Sequence, residues 1–493
     1  MNYHRFMIGG FLVVFALCAS DAALMAQDQP QQDQSQQDQD SQSQDAGQPK
    51  PAAKSYFPVV DPNQPDNQDN NMQPDYTPLT GVQNATLGTP GIRHSYFVPG
   101  LQYGSMVWSE PSFQSNASNW YAENYFLGNV SLLKVWSSSE LAVNYTGGGF
   151  VSSGDTAAGI PSGFQAYQQL RLAQTFRTGR WLVQVLDSFA YLPQSEFGFG
   201  AGTNIGVAGV GSGWGAPIGG LSNIVTPNQS IFTTTGPYYN NTAVIQATYS
   251  LSPRSSITVA GAYGILNFVN AGNINTDTAF GSAGYNYILS PRDTIGVIYW
   301  FSSDHFQGYD QAFGSHTVGL AYSHKITGRL AASASGGPQF TFFRVPIGTT
   351  TQQTGFNING NVTYSTLGGS LTGSFIHSLS GGSGVLIGSN LNQLNTTFTH
   401  RLGRVWSGNL NFGYAHNAGL SSLGQFSSGT YSDWFAGGGV SRPIGRSIYV
   451  GVSYDAYISG QNYAGCVGSG CGTYTNNSIN ISVQWHSRPF AID

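Results

Sequence analysis

Charged residues are scarce in this sequence, and their scarcity argues against an ordinary soluble enzyme. Only 8% of the 493 residues are Asp, Glu, Lys or Arg, whereas a typical globular protein contains roughly 25%. The deficit is filled by polar uncharged residues and by aromatic residues, with 65 Gly, 27 Tyr and 29 Phe in the chain. Such a composition suits a surface that faces lipid better than one that faces water.

Long hydrophobic runs are also missing beyond the N-terminus. No later segment approaches the ~18 consecutive apolar residues that a membrane-spanning helix requires. A chain with few charges, 13% aromatic residues and no such helix is typical of a membrane wall built from alternating strands. In that kind of wall the outer face contacts lipid and the inner face lines a polar lumen.

The first 26 residues are predicted to form an export signal. His4 and Arg5 provide a positively charged start, and the apolar stretch 6–17 has the length of a signal-peptide core. Small residues follow, so cleavage is expected after Ala22 or after Ala26. The mature chain would then be exported from the cytoplasm.

Cysteine is nearly absent, with three residues in the whole chain. Cys18 lies in the predicted signal, where the bulky Leu17 before it disfavours lipidation. Cys466 and Cys471 lie five positions apart among glycines, which allow so small a ring to reach disulfide geometry. Because exported proteins meet oxidising conditions, a Cys466–Cys471 disulfide is predicted, with two free thiols as the alternative.

Residues 27–92 differ in composition from the remainder of the chain. The stretch 27–48 is almost entirely Gln, Asp and Ser, and the stretch after it is rich in Pro and Asn. Such a segment buries too little apolar surface to offset its ordering entropy, so a disordered linker is predicted. A contact with peptidoglycan or with a partner protein is the alternative.

From residue 93 to residue 493 the sequence alternates with a period of two. Examples are Ser478–His486, Ile448–Asp455 and Asn357–Ser365, in which apolar and polar residues take turns. Strict alternation indicates strands with one apolar and one polar face. A β-sandwich would alternate in the same way, so the connections between strands have to distinguish the two folds.

Short and long connections themselves alternate along the chain. The sequence Leu-Ser-Pro-Arg occurs at 251–254 and again at 289–292, and four further turns contain a Gly-Arg step. Gly supplies the positive φ that tight hairpins need. These features predict short turns near residues 139, 178, 253, 291, 327, 368, 403 and 445. Long Gly/Ser/Asn-rich loops are predicted between them, at 194–240, 268–277, 379–391 and 416–431.

The turns predict a strand count of about eighteen, within a range of 16–18. Eight hairpins supply sixteen strands, 478–486 supplies a last one, and 101–108 supplies a first one. The wide interval 194–240 is either one long loop or contains an additional hairpin. One end with short turns and one end with long loops is the asymmetry of outer-membrane barrels, whose short turns are periplasmic.

Aromatic residues fall near both ends of the predicted strands. Two aromatic girdles are typical of a barrel that crosses two membrane–water interfaces. Those near the short turns are Trp136, Phe176, Trp181, Tyr249, Tyr287, Tyr322, Tyr364, Trp406 and Trp485, and those near the other end are Tyr145, Tyr263, Tyr299, Phe301, Phe375, Tyr414 and Tyr454.

Residues from about 95 to 493 resemble the large porin-like bacterial outer-membrane β-barrels, and the two Leu-Ser-Pro-Arg turns are similar to those of uncharacterised members. The resemblance implies an all-β, transmembrane, antiparallel up-and-down barrel in a Gram-negative outer membrane. Its implied partners are outer-membrane lipid and the barrel-insertion machinery. The resemblance leaves open whether the barrel forms a homo-oligomer. Such barrels usually end on an aromatic residue, whereas Phe490 here is followed by Ala-Ile-Asp.

Motifs for covalent chemistry are absent from the sequence, which contains no G-x-S-x-G, H-E-x-x-H or P-loop pattern. We therefore expect no enzyme activity, no cofactor, no metal and no nucleic-acid partner. The candidate pore-lining residues are Arg171, Asp455, Asn359, Asn361 and Asn411. Loop 194–240, which carries Glu196, is expected either to be a surface loop or to fold inward and constrict the pore. Asp187 shares its strand face with apolar residues and is expected on the outer face.

The predicted function is an outer-membrane channel for passive passage of small polar solutes, including sugars. Two alternatives remain at this point, an outer-membrane conduit for exopolysaccharide export and a plugged structural or adhesive barrel. Because few charges share the polar face, a channel of this kind is expected to discriminate weakly between ions.

Overall fold

The computed structural model describes residues 79–80, 95–111, 118–153, 163–192, 237–269, 274–308, 312–344, 350–366, 368–380, 388–420, 429–463 and 472–492. The predicted signal peptide and all but two residues of the predicted linker lie outside this part of the chain. Glu196, Cys466 and Cys471 lie outside it as well. The inward loop and the disulfide therefore remain predictions from the sequence.

Eighteen antiparallel strands form a closed barrel in which each strand pairs with the next along the chain and β18 pairs with β1. This confirms the predicted all-β, up-and-down architecture and the count of eighteen. A two-residue strand, β19 (Phe490–Ala491), follows β18 in the chain and also pairs with β1. The strands are β1 Tyr96–Pro111, β2 Ser118–Val135, β3 Ser139–Ser153, β4 Gly163–Thr178, β5 Trp181–Leu192, β6 Tyr238–Ser252, β7 Ser255–Phe268, β8 Thr276–Ser290, β9 Asp293–Phe306, β10 Ala312–Lys325, β11 Leu330–Arg344, β12 Thr350–Thr366, β13 Gly369–Ser380, β14 Ser389–Arg401, β15 Ser407–Gly419, β16 Gly429–Ile444, β17 Ile448–Tyr463 and β18 Gly472–His486.

All eight predicted tight turns are found at one end of the barrel. The two Leu-Ser-Pro-Arg turns have the same local structure. Ser252 Oγ accepts a hydrogen bond of 3.2 Å from the backbone N of Arg254, and Ser290 Oγ accepts one of 3.1 Å from Arg292 N. Each turn also interrupts the strand register by one residue. The repeated sequence therefore encodes a repeated hairpin.

The long connections lie at the opposite end, and their boundaries differ from the prediction. The strands contain 12 to 18 residues, so the margins of the predicted loops belong to strands. Gly, Ser and Asn are compatible with a strand wherever a neighbouring strand satisfies the backbone hydrogen bonds. In the wide interval, β5 and β6 pair directly from Leu192↔Tyr238 onward, so no further strand separates them in the wall.

The two faces of the barrel are distinguished by exposure. Large apolar residues on the outer face are exposed in every part of the wall, as Leu101, Val259, Leu320, Leu410 and Ile481 illustrate. Ring residues of both predicted girdles are among the exposed side chains, including Trp136, Trp181, Tyr263 and Tyr454. Within the described ranges, no helix has the length and hydropathy of a membrane span. The residues on the inner face form the candidate site.

Candidate functional site

One half of the inner wall carries a continuous band of apolar side chains, here called the apolar belt. It runs along the inner faces of β1 to β9, and each of its residues is at most 9% exposed. The sequence predicted a polar lumen, so this half differs from the expectation. The belt consists of Tyr96, Val98, Leu133, Ala142, Ala173, Leu186, Val244, Ala260, Phe280, Ile298 and Trp300.

The other half of the inner wall is dominated by asparagine and hydroxyl side chains and is here called the amide wall. Cross-strand register places these residues on the same face from β12 to β18, because directly paired residues in an antiparallel sheet share a face. Asn361 of β12 and Thr372 of β13 are exposed although they point inward, so solvent reaches this half of the wall. The asparagines of the amide wall are Asn357, Asn359, Asn361, Asn395, Asn409, Asn411, Asn417, Asn476 and Asn480.

Three of the five predicted pore-lining residues lie on the amide wall. Asn359 and Asn361 are neighbours on the inner face of β12, and Asn411 on β15 is paired with residues of the same face on β14 and β16. Their positions agree with the alternation from which they were selected.

The two predicted charged residues lie on the inner face but far apart around the barrel. Asp455 belongs to β17 and is fully buried, whereas Arg171 belongs to β4 and pairs with Asn144 and Ser188. Strands β18, β1, β2 and β3 separate Asp455 from Arg171. The two side chains therefore belong to different halves of the wall.

Three further carboxylates, those of Glu123, Asp304 and Asp433, are buried on the inner face of the described strands and were not identified from the sequence. Each accepts a hydrogen bond from a hydroxyl group on a neighbouring strand. Ser152 Oγ donates to Glu123 at 2.8 Å, Thr278 Oγ1 donates to Asp304 at 2.6 Å, and Tyr457 Oη donates to Asp433 at 2.5 Å.

The alternation pattern concealed these carboxylates. Glu123 shares its face with Tyr125 and Leu127, and Asp433 shares its face with Tyr431 and Phe435. In a barrel with a polar lumen, a strand face that carries apolar residues is predicted to face lipid. Here large apolar and aromatic residues also point inward, so that rule fails at these positions. A nearby hydroxyl on the paired strand is the signal that could have identified them.

The carboxylate of Asp455 occupies the space above a glycine on the neighbouring strand. Gly437 of β16 is directly paired with Asp455, and a Cβ atom added at Gly437 would lie 2.0 Å from Asp455 Oδ1. The missing side chain is therefore what allows the carboxylate to lie flat against the wall. This contact links the position of Asp455 to the identity of residue 437.

One tyrosine joins the two halves of the wall. Tyr125 on β2 packs with Leu127, Phe150 and Tyr167, and its hydroxyl donates to Asn480 Oδ1 on β18 at 3.0 Å. Its ring crosses β1 at Gly104, where an added Cβ would lie 2.2 Å from the ring. Tyr125 thus lies flat along the inner wall between an aromatic cluster and the amide wall.

The end of β13 on the long-loop side leans inward. Alternation would place Leu379 on the outer face with Phe375, yet Leu379 is buried in a cluster with Phe306, Phe313 and Phe343. The side chain of Gln339 on β11 donates to Leu379 O at 2.8 Å and accepts from Leu379 N at 2.9 Å. Strand β12 is not paired with β13 before Ile358, which leaves room for this inward displacement.

Charged groups on the outer face are held by local hydrogen bonds. Asp187 accepts a 2.7 Å bond from Asn241 Nδ2, in agreement with its expected outward position. Asp293 accepts 2.7 Å bonds from Tyr322 Oη and from the His324 ring. Among the residues that the structure describes, no group of three His, Cys, Asp or Glu side chains is placed to hold a metal ion.

Comparison with known proteins identifies no family and no curated relative. No family model matches the sequence, and no curated protein is significantly similar to it. Solved barrel structures align over most of the chain at very low identity. OccK2 (OpdF) of Pseudomonas aeruginosa aligns with 79% of this chain and 98% of its own, at 8% identity and a TM-score of 0.42.

Two further structures show the same level of similarity. OpdK of Pseudomonas aeruginosa, crystallised with vanillate, aligns with 80% of this chain and 99% of its own, at 9% identity and a TM-score of 0.40. The FrpB iron transporter of Neisseria meningitidis aligns with 82% of this chain and 84% of its own, at 8% identity and a TM-score of 0.38. Since likeness at this level carries no information on activity, the function of this chain rests on its own residues.

Proposed function

We propose that this chain is an outer-membrane channel for the passive passage of small polar solutes. The observation that carries the proposal is the amide wall, where inward-facing Asn361 and Thr372 are exposed to solvent inside a closed barrel. A structural barrel plugged at this level, towards the tight-turn end of β12 and β13, would bury these side chains.

The outer surface supports a membrane location. Every strand has a paired neighbour on both sides, although β12 pairs with β13 only from Ile358 onward. The closed barrel therefore leaves few backbone groups unpaired, which is what a lipid environment requires. Exposed Leu, Ile and Val cover its outer face, and exposed Trp and Tyr lie towards the strand ends. In water such a surface would aggregate, whereas in a bilayer it contacts hydrocarbon and the two interfaces.

The inner surface supports passage without covalent chemistry. Amides and hydroxyls both donate and accept hydrogen bonds, so the amide wall replaces part of the hydration of a polar solute without holding it tightly. Weak contacts of this kind are what conduction requires, because a solute has to leave as readily as it enters. Neutral sugars and similar small polyhydroxy molecules fit this chemistry.

The charge of the inner wall suggests a modest preference for cations. In the middle of the described strands, four inward carboxylates, those of Glu123, Asp304, Asp433 and Asp455, compare with one inward guanidinium, that of Arg171. At the tight-turn ends of the strands, one further acidic residue, Glu140, and three basic residues, Arg177, Lys325 and Arg401, also lie on the inner face. The low dielectric of the wall focuses the resulting field into the lumen. The sequence alone indicated weak selectivity, and the three additional carboxylates shift our expectation towards cations.

The test is a reversal potential measured on single channels across a tenfold KCl gradient. We expect an open channel with a cation-selective potential well below the ~59 mV of a perfectly selective pore (a tenfold step for one charge,). Asp455→Asn should move this potential towards zero. Asp187→Asn is the matched control, because the same carboxylate is removed from the outer face, and it should leave the potential unchanged.

Two results would contradict the proposal. A correctly folded barrel without conductance would favour the plugged structural or adhesive alternative. The export conduit would be favoured if a long acidic or neutral polysaccharide blocked the ion current and no small polar solute passed through the barrel. A potential near the ideal value would instead point to a charged constriction, and Glu196→Gln would then test the predicted inward loop.

A further inference from the structure

A short turn from the segment before the barrel lies inside the lumen. Leu79 and Thr80 form this turn, and the backbone N of Thr80 donates a 2.9 Å hydrogen bond to Asn286 Oδ1 on β8. Thr80 is only 1% exposed, and Asn286 lies buried on the inner face. The contact joins residues 206 positions apart, so it is a tertiary contact and not part of the local chain path.

Two glycines form the notch that receives Thr80. A Cβ atom added at Gly284 of β8 would lie 2.4 Å from Thr80 Cβ, and one added at Gly296 of β9 would lie 2.6 Å from Thr80 Cγ2. Both distances are far shorter than van der Waals contact. Any side chain at either position would therefore displace the threonine.

The lining of the notch combines groups of β8 and β9. Asn286 is directly paired with Gly296, and Gly284 is directly paired with Ile298 of the apolar belt. The notch thus combines a hydrogen-bond acceptor, two missing side chains and an apolar margin, which match the N–H, the Cβ and the methyl group of Thr80.

The position of the notch is compatible with the chain path. Gly284 and Gly296 lie towards the tight-turn end of β8 and β9, and β1 begins at that same end, since Tyr96 pairs with Leu133 near the end of β2. Residues 81–94 connect the turn to β1, and fourteen residues reach at most roughly 50 Å. That length is enough to cross the lumen from β1 to β8.

We propose that Gly284, Gly296 and Asn286 form an internal docking site whose ligand is the chain's own Leu79–Thr80 turn. The turn anchors the segment before the barrel against the inner wall on the belt side. If the barrel is the channel proposed above, the anchored turn removes cross-section on that side and directs solutes along the amide wall. The docking does not depend on that function, whereas the narrowing does.

Cross-linking tests the docking directly. Thr80→Cys is combined with Gly284→Cys in a chain whose Cys18, Cys466 and Cys471 are replaced by Ser, and the refolded barrel is oxidised. We expect a disulfide, seen as a faster-migrating band on a denaturing gel that reverts on reduction, because a shift of the turn by roughly 1.4 Å takes the two Cβ atoms from 2.4 Å apart to the ~3.8 Å of a disulfide. The matched control pairs Thr80→Cys with Gly281→Cys, whose side chain points to the outer face, and should not cross-link.

Displacement provides a second, independent readout. In the single variant Thr80→Cys, the thiol should react slowly with a water-soluble maleimide because the site is buried. Adding Gly284→Ala should raise the labelling rate, and adding Gly281→Ala should not. A heat-modifiable, folded barrel in which the 80/284 pair fails to cross-link, or in which Gly284→Ala leaves labelling unchanged, would overturn the docking.

Conductance separates the docking from its consequence. We expect Gly284→Ala to raise single-channel conductance relative to Gly281→Ala, because expelling the turn widens the passage. A disulfide between residues 80 and 284, together with equal conductance of the Gly284→Ala and Gly281→Ala variants, would refute the narrowing of the lumen and retain the docking site. Absence of conductance in every variant, with cross-linking intact, would refute the channel function alone.

Discussion

The two halves of the inner wall are built from strands with the same period-two alternation, but their inward side chains differ in chemistry. On β1 to β9 the inward positions carry the apolar belt, whose side chains are nearly all removed from solvent. On β12 to β18 they carry amides and hydroxyls, some of which remain exposed. Within one closed barrel, the apolar belt resembles a packed core, whereas the amide wall is buried in some places, as at Asn417 and Asp455, and meets solvent in others, as at Asn361.

The difference shows that alternation identifies the two faces of a strand but does not show which face points to lipid and which points to the lumen. A lipid-facing side is mostly apolar, because exposed polar groups are costly in hydrocarbon unless a neighbouring group satisfies them, as Asn241 does for Asp187. An inward side is polar only where water reaches it, and it becomes apolar where other side chains cover it. The belt and the amide wall are the two outcomes, and three substitutions test the contrast.

The largest effect is expected in the apolar belt. Ile298→Ala removes a buried side chain from packed surroundings and should lower the free energy of unfolding by roughly 2–5 kcal/mol. Asn361→Ala, at an exposed inward position of the amide wall, should change it by no more than about 0.5 kcal/mol. Urea unfolding of the refolded barrel in lipid vesicles measures both. Equal effects would mean that the belt is not a packed core.

An intermediate effect is expected where the amide wall is tight. Gly437→Ala places a methyl group against the Asp455 carboxylate, and overpacking of this kind typically costs about 1–3 kcal/mol. Gly451→Ala on β17 is the control, since its added Cβ would have neighbours no closer than 3.5 Å. The same unfolding measurement applies, and comparable values for both variants would show that Asp455 moves away freely.

The smallest effect is expected at the junction between the halves. Tyr125→Phe removes the hydrogen bond to Asn480 and leaves the ring in its cluster, so a loss of about 0.5–1.5 kcal/mol is expected. Tyr263→Phe, on the exposed outer face, should have no measurable effect on unfolding. If the two variants behave alike, the bond between β2 and β18 does not contribute to joining the halves.

Much of the architecture could be predicted because its determinants are local. A Leu-Ser-Pro-Arg or Gly-Arg turn is specified by four or five consecutive residues, and six of the eight tight turns contain one of these sequences. Period-two alternation likewise needs only one strand, so the faces of Asn359, Asn361 and Asn411 could be assigned. The long-loop margins were misplaced because Gly, Ser and Asn are compatible with both a loop and a paired strand.

The remaining features depend on which strands meet, and only the tertiary structure decides that. Glu123, Asp304 and Asp433 look misplaced among apolar residues until a hydroxyl on the neighbouring strand is seen to hold each one. The contact of Thr80 with Asn286 connects residues 206 positions apart, and no local pattern encodes it. By itself, the sequence determined a barrel of about eighteen strands and the position of its tight turns, because alternation and turn chemistry act over a few residues. The tertiary structure decided which inward side chains are covered and which meet water, because closure of the barrel brings distant strands into contact.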